Sequence, residues 1–390
     1  MFVWRVYENI VQNGERTMSL FAKTGPWVVA SLVAAASVFG QNSKCAPAQK
    51  SFDQGHEMMQ SQMMAGYNAP ARIEVRGSWD VYASGSFTYW QPIQENMELG
   101  IVSDESAAAG SFDMNGHVVN MNFNYQPGFK VGLGMNFDHD NWDTFLQYTW
   151  FRGSHSTTTS LDSVASPLTV LYATWGTPNT GDPEYFHGSQ KWKLHMDLLD
   201  WQLARSCYVG TKLSFRPFCA VRAAWIRQNM DVDYSQARLS DAILSKDINA
   251  KSHSWAIGPR TGLETNWMIG EGFRLFGNAA GDILFTQYTK LSFFDRDVLD
   301  DGTTDNQFFV EQHNLNTLRT HLELELGLAW GSYFDNNNWH VDLSAGYGFQ
   351  VFYDQNMFRH FNDGTMEANS MSPNGNLYMH GLTATARFDF

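Results

Sequence analysis

Apolar and polar residues alternate along much of this chain, and the pattern is plainest in the last stretch, residues 378–390. One set of alternate positions is apolar and the intervening set is polar: Leu382, Ala384, Ala386, Phe388 and Phe390 against Thr383, Thr385, Arg387 and Asp389. Successive side chains of a strand point to opposite faces, so a period of two predicts a β-strand between two different surroundings.

Nine earlier segments show the same alternation and complete a set of ten predicted strands. They are residues 73–89, 119–137, 142–150, 192–203, 213–225, 255–267, 273–285, 318–330 and 339–351. In the fourth segment the apolar positions change phase, from Trp192, Leu194, Met196 and Leu198 to Leu199, Trp201 and Leu203. Such a change of phase indicates a β-bulge.

The connections between these strands alternate in length. The long ones cover about residues 91–117, 152–191, 228–253, 288–316 and 353–376, and the short ones lie near 138–141, 206–212, 269–272 and 332–338. Outer-membrane barrels have long loops outside and short turns in the periplasm. The sequence therefore predicts an all-β fold, a transmembrane up-and-down antiparallel β-barrel of about ten strands with both termini in the periplasm. Twelve strands would follow if loop 91–117 or 152–191 contains a hairpin.

Composition agrees with a barrel. Hydrophobic residues make up 43% of the chain and aromatic residues 15%, yet the mean hydropathy is only −0.34. Beyond the N-terminus no run reaches the ~18 apolar residues of a helical span. The net charge of −14 argues against a nucleic-acid partner, which needs a basic surface.

The N-terminus predicts export from the cytoplasm. Lys23 precedes an apolar run over residues 27–39, and Val38 and Gly40 fit a signal-peptidase site. We therefore expect residues 1–40 to be a signal peptide, whose true start could be Met18. Residues 41–70 are expected to form a flexible periplasmic leader, and residues 71–390 the outer-membrane barrel.

The three cysteines are Cys45, Cys207 and Cys219. In the predicted hairpin, Cys219 lies opposite Leu199 and Cys207 lies near the turn, about four residues or ~13 Å apart along the strands. A disulfide needs Cα atoms within ~7 Å, so we expect no bridge between these two. An intermolecular disulfide and buried free thiols both stay open.

Two parts of the sequence resemble known outer-membrane features. The final strand resembles the signal read by the barrel-assembly machinery, with Tyr378, Gly381, Phe388 and Phe390 in the signal positions. The segment K-W-K-L-H…L-D…A-R…Y-V…L-S-F-R-P-F…R-A-A-W within residues 191–229, together with G-P-R-T-G-L-E-T-N-W from Gly258, resembles the Legionella-type major outer membrane protein family. This resemblance implies a porin-like barrel over roughly residues 70–390, without catalytic residues.

Charged residues dominate the strand face expected to point inward. That face is predicted to carry Glu74, Arg76, Asp80, Lys193, His195, Asp197, Arg216, Arg222, Arg260, Glu264, Arg274, Asp282, Arg319, His321, Glu323, Glu325, His340 and Asp342. As pore-lining residues we select Asp80, Arg216, Arg222, Arg260, Glu264, Arg274, Arg319, Glu323, Glu325 and Asp342. The alternative is an interior filled by salt bridges, because narrow barrels are filled by side chains.

The loops offer weaker candidates. Five aspartates in residues 295–305 could bind calcium, but their spacing misses the EF-hand pattern, so a solvated acidic loop is the simpler interpretation. Histidines such as His155 and His313 in or beside long loops would suit an outer-membrane protease, yet no motif supports one. We expect neither an enzyme nor a cofactor or metal.

Two functions remain open from the sequence. The first is a porin that lets small hydrophilic solutes diffuse passively through a polar lumen. The second is a closed structural or adhesin barrel whose long loops bind host or envelope partners. In either case the expected partners are outer-membrane lipid and the barrel-assembly machinery, and a homo-oligomer is open.

Overall fold

The computed structural model describes residues 71–76, 80–103, 115–137, 141–162, 169–176, 184–235, 243–299, 302–361 and 370–390. The predicted signal peptide, the alternative start at Met18, the leader and Cys45 all lie outside these ranges. The described residues form strands and their connections, and they include no helix long and apolar enough to cross a membrane.

Ten long strands form a closed antiparallel barrel. Each strand pairs with the next along the chain, and the last pairs with the first. The strands are β1 (Val81–Gln94), β2 (Gln126–Asn136), β3 (Trp142–Ser160), β4 (His187–Arg205), β5 (Leu213–Ser235), β6 (Ile243–Gly270), β7 (Phe273–Leu299), β8 (Leu315–Phe334), β9 (Trp339–Phe352) and β10 (Leu377–Asp389). The predicted fold class and strand number are confirmed.

Short turns join the strands at one end of the barrel and longer connections join them at the other. At the short-turn end, β6 and β7 are joined by Glu271 and Gly272, both with positive φ. The β8–β9 turn likewise holds Asp335, Asn336 and Asn337 at positive φ, a conformation that Asn and Asp tolerate better than most residues.

At the long-loop end of the barrel, several strands are longer than the sequence predicts. β5 and β6 continue far into the region expected as loop 228–253, and β7 runs on to Leu299. A tilted membrane strand needs only ~9–11 residues, so the 28 residues of β6 project well beyond a bilayer. Loops 152–191 and 288–316 are also shorter than expected, because β3 ends at Ser160 and the strand Thr304–Gln312 pairs with β7.

Two predicted strands begin too early. Residues 71–75 have no regular structure and β1 starts only at Val81, while β2 starts at Gln126 rather than near residue 119. The strand Gly116–Val119 instead joins Gly100–Ser103, Val170–Ala173 and Glu184–Tyr185 in a separate four-stranded sheet. The two suspected loops therefore do contain strands, but these do not enlarge the barrel.

The outward face of the barrel is an apolar belt. Leu318, Leu326 and Trp201 are each about 60% exposed (62%, 61% and 62%), although they are large and apolar. Exposure on this scale over every barrel strand is what a lipid-facing surface requires. Leu382 and Phe388 on β10 and Phe390 directly after it are also exposed, so the predicted apolar face of the last strand is confirmed.

The predicted bulge in β4 is wrong. The pairing of β4 with β5 continues without a shift from Ala204 to His187. Leu198 is buried inside the barrel at 2% exposure, whereas Leu199 is 36% exposed on the outside. The alternation of inward and outward positions continues unbroken along β4. The apolar residues move from the inward to the outward positions because the interior of the barrel changes from apolar to polar at this level.

No disulfide joins the two described cysteines, Cys207 and Cys219. Cys219 lies opposite Leu203, not Leu199, and Cys207 pairs with Phe215. The two cysteines stay four residues apart along the hairpin, so the separation argument holds. Cys219 is exposed on the outer face of β5.

Candidate functional site: the barrel interior

The barrel interior carries charged side chains because polar residues occupy the strand face opposite the lipid. On β5, Val221 is 46% exposed on the outside while its neighbour Arg222 is 3% exposed on the inside. A buried charge is tolerated only when it is paired and hydrogen-bonded. Each inward charge is therefore expected to have a partner inside the barrel.

A buried ion-pair network occupies the middle of the interior. Arg222 donates to both carboxylate oxygens of Asp200, through Nε at 2.6 Å and Nη2 at 2.7 Å. Its Nη1 donates to Asp282 at 2.9 Å, and Arg260 donates to the other oxygen of Asp282 at 2.8 Å. His321 Nδ1 lies 2.8 Å from Asp282, which is thereby held by three neighbours.

This network spans the cross-section of the barrel. Glu323 on β8 accepts a hydrogen bond from Arg260 Nη2 at 2.6 Å, and it lies 3.6 Å from Arg222 Nη2 on β5. Its other oxygen lies 3.7 Å from Lys130 Nζ on β2. Because β2, β5 and β8 are not adjacent in the sheet, these contacts cross the interior. We call this set, Lys130, Asp200, Arg222, Arg260, Asp282 and Glu323, the ion-pair bridge.

A second group of charges lies nearer the short-turn end. Arg216 pairs with Asp143 at 2.5 Å and with Glu264 at 2.7 Å. The Tyr82 hydroxyl donates to Asp143 at 3.2 Å, and Arg387 lies over the Tyr82 ring, 3.6 Å from its centroid. These contacts fix the charges to the wall and leave space between them.

That space is a polar cavity of about 490 Å³ between the ion-pair bridge and the short-turn end. Its wall includes Lys130, Arg260, Glu264, Arg274 and Glu325. Arg274 is paired with Asp342 at 2.5 Å. A cavity of this size could hold water and a small polar solute.

Residues 71–76 cross the mouth of this cavity. Ala71 N–H donates to Ser206 O at 3.4 Å, Arg72 Nη1 donates to Phe137 O at 3.2 Å, and Arg76 N–H donates to Asn337 O at 2.8 Å. The three acceptors lie in different short turns, so the segment runs from one side of the barrel end to the other. Ala71 and Arg72 also line the cavity.

The interior on the other side of the bridge is mainly apolar. The inward faces of β4, β5 and β6 there carry Trp192, Met230 and Ile248, exposed by at most 3%. Leu99 and Trp175 from the loops pack against them in one core cluster, and Leu99 O accepts a hydrogen bond from the Tyr234 hydroxyl. Loop segments thus fill the long-loop half of the barrel. Sequence reasoning missed this core because it placed the Trp192 set on the lipid face.

Most of the selected residues lie inside the barrel. Those that line the polar cavity are Arg216, Arg260, Glu264, Arg274, Glu323, Glu325 and Asp342. Arg222 lies in the bridge, while Arg319 lies nearer the long loops, 3.7 Å from Asp354. Asp80 precedes β1 at positive φ. Whether these residues line a pore stays a prediction.

Other expectations for the inward face are wrong. Lys193, His195 and Asp197 point outward, because Trp192 and Met196 occupy the inward positions of β4. Glu74 and Arg76 are exposed and lie outside any strand. The inward contributors that the selection missed include Lys130, Asp143 and Asp200.

The acidic segment near residue 295 is only partly a loop. Asp295 and Asp297 lie on β7 and are buried at 2% and 1% exposure, with Lys246 Nζ 3.3 Å from both side chains. The prediction of a solvated acidic loop is therefore wrong for these two residues. Their burial follows from the inward face of β7, which is covered by loop residues such as Gly176.

A closed antiparallel barrel with an apolar outer belt and a charged interior defines the class of transmembrane β-barrel proteins. The sequence profile of the Legionella pneumophila major outer membrane protein precursor family matches residues 73–390. The chain belongs to this family, and the resemblance stated from the sequence is confirmed. It is a barrel of the bacterial outer membrane. No curated protein matches the chain.

Similar solved structures include other outer-membrane barrels. The outer membrane protease OmpT from Escherichia coli is 11% identical over 82% of this chain and 99% of its own, with a TM-score of 0.38. The Pseudomonas putida toluene transporter TodX is 8% identical over 80% of this chain and 90% of its own, with a TM-score of 0.33. Likeness at this level carries no argument about function.

Proposed function

We propose that this protein is a closed outer-membrane barrel whose long-loop end is a folded surface that binds host or envelope partners. The observation that supports this most strongly is the apolar core in the long-loop half, where Trp192, Tyr234 and Leu99 are fully buried. Close-packed protein interiors leave few voids larger than a water molecule. The ion-pair bridge adds a second obstruction next to this core.

The proposal includes the orientation expected from the sequence. Long loops face the outside and short turns face the periplasm in barrels of this kind. The 490 Å³ cavity then faces the periplasm, with residues 71–76 at its mouth.

The second candidate is the porin function expected from the sequence. The polar cavity favours it, since a hydrated, charged wall is what a diffusion pore needs. In this case the apolar core and the bridge would both have to move aside to open a path. The closed barrel needs no such movement, so it is the function that the geometry supports better.

Swelling of proteoliposomes separates the two candidates. The mature chain is reconstituted and diluted into isotonic solutions of sugars of increasing size, with a general diffusion porin as positive control. The closed barrel predicts swelling no faster than that of protein-free vesicles. Swelling that depends on sugar size would favour the porin instead.

Partner binding is tested on the exposed apolar residues of the long-loop end. Phe309 and Met371 are 57% and 54% exposed there. Cells that display a Phe309→Ser/Met371→Ser variant should adhere to host cells less than cells that display the unaltered chain at equal surface density. Equal adhesion would remove these residues from the proposed surface.

We also propose that the chain is not an enzyme, as the family description favours. Incubation of the folded protein with a library of quenched fluorescent peptides should give no increase in fluorescence. Cleavage that is lost on heat denaturation would contradict this.

A further inference from the structure

A row of basic side chains lies on the outer surface of the barrel, directly beyond a row of aromatic ones. The strand register places Arg152, His195, Arg227, His253 and Lys290 side by side on β3 to β7. Two residues nearer the short-turn end on the same face lie Trp150 of β3, Trp225 of β5 and Trp255 of β6. These tryptophans lie at the long-loop edge of the apolar belt.

Three cations of this region surround one neutral residue, Asn229 on β5. Lys193 on β4 and Lys251 on β6 are its direct cross-strand partners. Arg227 precedes it by two residues on the same face. Neighbouring strands lie ~4.8 Å apart and alternate residues of a strand ~6.7 Å apart, so the three Cα atoms lie within about 10 Å of one another. We call Arg227, Lys193 and Lys251 the cation triad.

The triad is only weakly neutralised. Arg152 is paired with Asp197 at 2.8 Å and Lys290 with Glu311 at 2.9 Å, so the two ends of the basic row are satisfied. Lys193 lies 3.9 Å from Asp231, a long contact, and Asp231 also accepts a hydrogen bond from Asn249. Within the described part of the chain, Arg227 and Lys251 form neither a hydrogen bond nor an ion pair.

The opposite wall of the barrel is different. At the long-loop edge of its belt the outward residues are Tyr125, Tyr347 and His380, which contact one another through their polar atoms. Among the described residues of β8 to β10, β1 and β2, no lysine or arginine lies on the outward face beyond the belt. The basic surface is therefore confined to the wall formed by β3 to β7.

We propose that the cation triad binds the phosphate groups of a glycolipid in the outer leaflet. Tryptophan is enriched at headgroup level in membrane proteins, so cations two residues beyond a row of tryptophans at the edge of the belt lie where lipid phosphates are found. Basic residues beside a membrane attract anionic headgroups, and a guanidinium binds phosphate oxygens in bidentate fashion. The choice of leaflet rests on the orientation proposed above.

Lipid retention by single-charge variants tests the triad. The full mature chain is refolded in neutral detergent, mixed with a bisphosphorylated glycolipid or its enzymatically dephosphorylated form, and analysed by native mass spectrometry. Arg227→Gln should weaken binding of the phosphorylated form at least fivefold, and Arg227→Gln/Lys251→Gln more. Lys212→Gln, which removes an exposed positive charge in the β4–β5 turn at the other end, should leave it unchanged.

Folding of every variant is checked by the heat-dependent shift in gel mobility, and Arg227→Lys should retain most of the binding. Equal binding of the phosphorylated and dephosphorylated lipids would overturn the proposal, as would equal binding by the double variant. Displacement of the lipid by equimolar inorganic phosphate would assign the site to free phosphate instead. Stronger binding of phosphatidylglycerol than of the glycolipid would overturn the leaflet, and with it the proposed orientation, whatever the swelling assay shows.

Discussion

Lys130 on β2 and Glu323 on β8 meet across the interior of the barrel, with Nζ and Oε1 3.7 Å apart. The same carboxylate binds Arg260 on β6 and approaches Arg222 on β5. The Glu323 side chain thus links β8 to β2, β5 and β6, and it lies at the level where the polar cavity ends.

Removing the charge of Glu323 should destabilise the barrel. Glu323→Gln leaves Arg260 and Lys130 without a full counter-charge, and breaking one partner of a buried ion pair costs about 3–5 kcal/mol. The free energy of unfolding in urea, measured in lipid vesicles, should fall by this order. Glu271→Gln, an exposed acid in the β6–β7 turn, is the control and should change it by less than about 0.5 kcal/mol. An unchanged midpoint for Glu323→Gln would show that the bridge is not stabilising.

Segment 71–76 should restrict access to the cavity. Asn278 lines the cavity wall, so a cysteine placed there by Asn278→Cys reports entry from the short-turn end. A membrane-impermeant maleimide should label it more slowly in the mature chain than in a chain that starts at residue 77. Equal rates would mean that the segment does not cover the mouth. Cys207 and Cys219 are replaced by serine in both proteins, and Cys45 is also replaced by serine in the mature chain.

The two faces of β4 should respond differently to brominated lipid. Trp201 is 62% exposed on the outside and Trp192 is fully buried inside. Trp201→Phe should therefore reduce the share of tryptophan fluorescence that brominated acyl chains quench, whereas Trp192→Phe should not. A loss of quenching with Trp192→Phe would mean that Trp192 faces the lipid, and it would favour the β-bulge that the sequence predicts and the structure does not contain.

The loop that joins β9 and β10 should loosen in acid. The ring of His360 packs against that of Trp175, with ring centroids 3.8 Å apart and the two planes tilted by 34°. Burial lowers the pKa of His360 below its usual 6.5, although a hydrogen bond to the Thr174 backbone and the charge of Glu98 partly oppose this. A lowered folded-state pKa means that protonation favours the open form. Neutral His360 therefore contributes fully to the stability of the folded loop above pH 6.5, and this contribution is lost as the pH falls below 6.5.

Hydrogen exchange at pH 7.5 and pH 5.5, corrected with an unstructured reference peptide, measures this change. Amides of residues 355–361 should lose protection at the lower pH, while those of the β9 strand should not. His360→Gln cannot take up the proton and should show equal corrected protection at both pH values. Loss of protection in that variant as well would assign the effect to another group.

The sequence predicts the barrel well because lipid on the outside imposes one rule on every strand. The outward face of β8 carries Leu318, Leu322, Leu324 and Leu326, and polar residues lie at the positions between them. The structure exposes all four leucines. Strand number and the alternation of short and long connections follow from the same rule. Because the pattern repeats over ten strands, a wrong prediction within one strand does not change the predicted fold.

The inner surface follows no single rule, and the errors concentrate there. Ile226, Met230 and Val232 face inward against loop residues, so beyond Trp225 the apolar positions of β5 lie on the inner face. Read as a lipid-facing pattern, such a reversal looks like the end of a strand or a bulge. Nothing in the local sequence says that loop residues such as Leu99, Val102 and Met121 pack inside the barrel and make its interior apolar. The same reversal turns Lys193 and His195 outward.

Charge partners inside the barrel were only half predictable. Period two places Arg216, Arg260 and Glu323 on the inner face, and the structure agrees. Which charges meet depends on the curvature and register of the whole sheet, so the Lys130–Glu323 contact between distant strands could not be inferred. Asp143 was missed because it stands at a strand end beside a predicted turn.

Single-channel conductance of the mature chain in a planar bilayer tests the closed interior most directly. A closed barrel should give no stepwise conductance at moderate voltage in 1 M salt, once gel mobility has shown that it is folded, while a general porin in the same bilayer does. Stable conductance steps from the unaltered chain would contradict it, because ions would then pass both the apolar core around Trp192 and the bridge at Glu323.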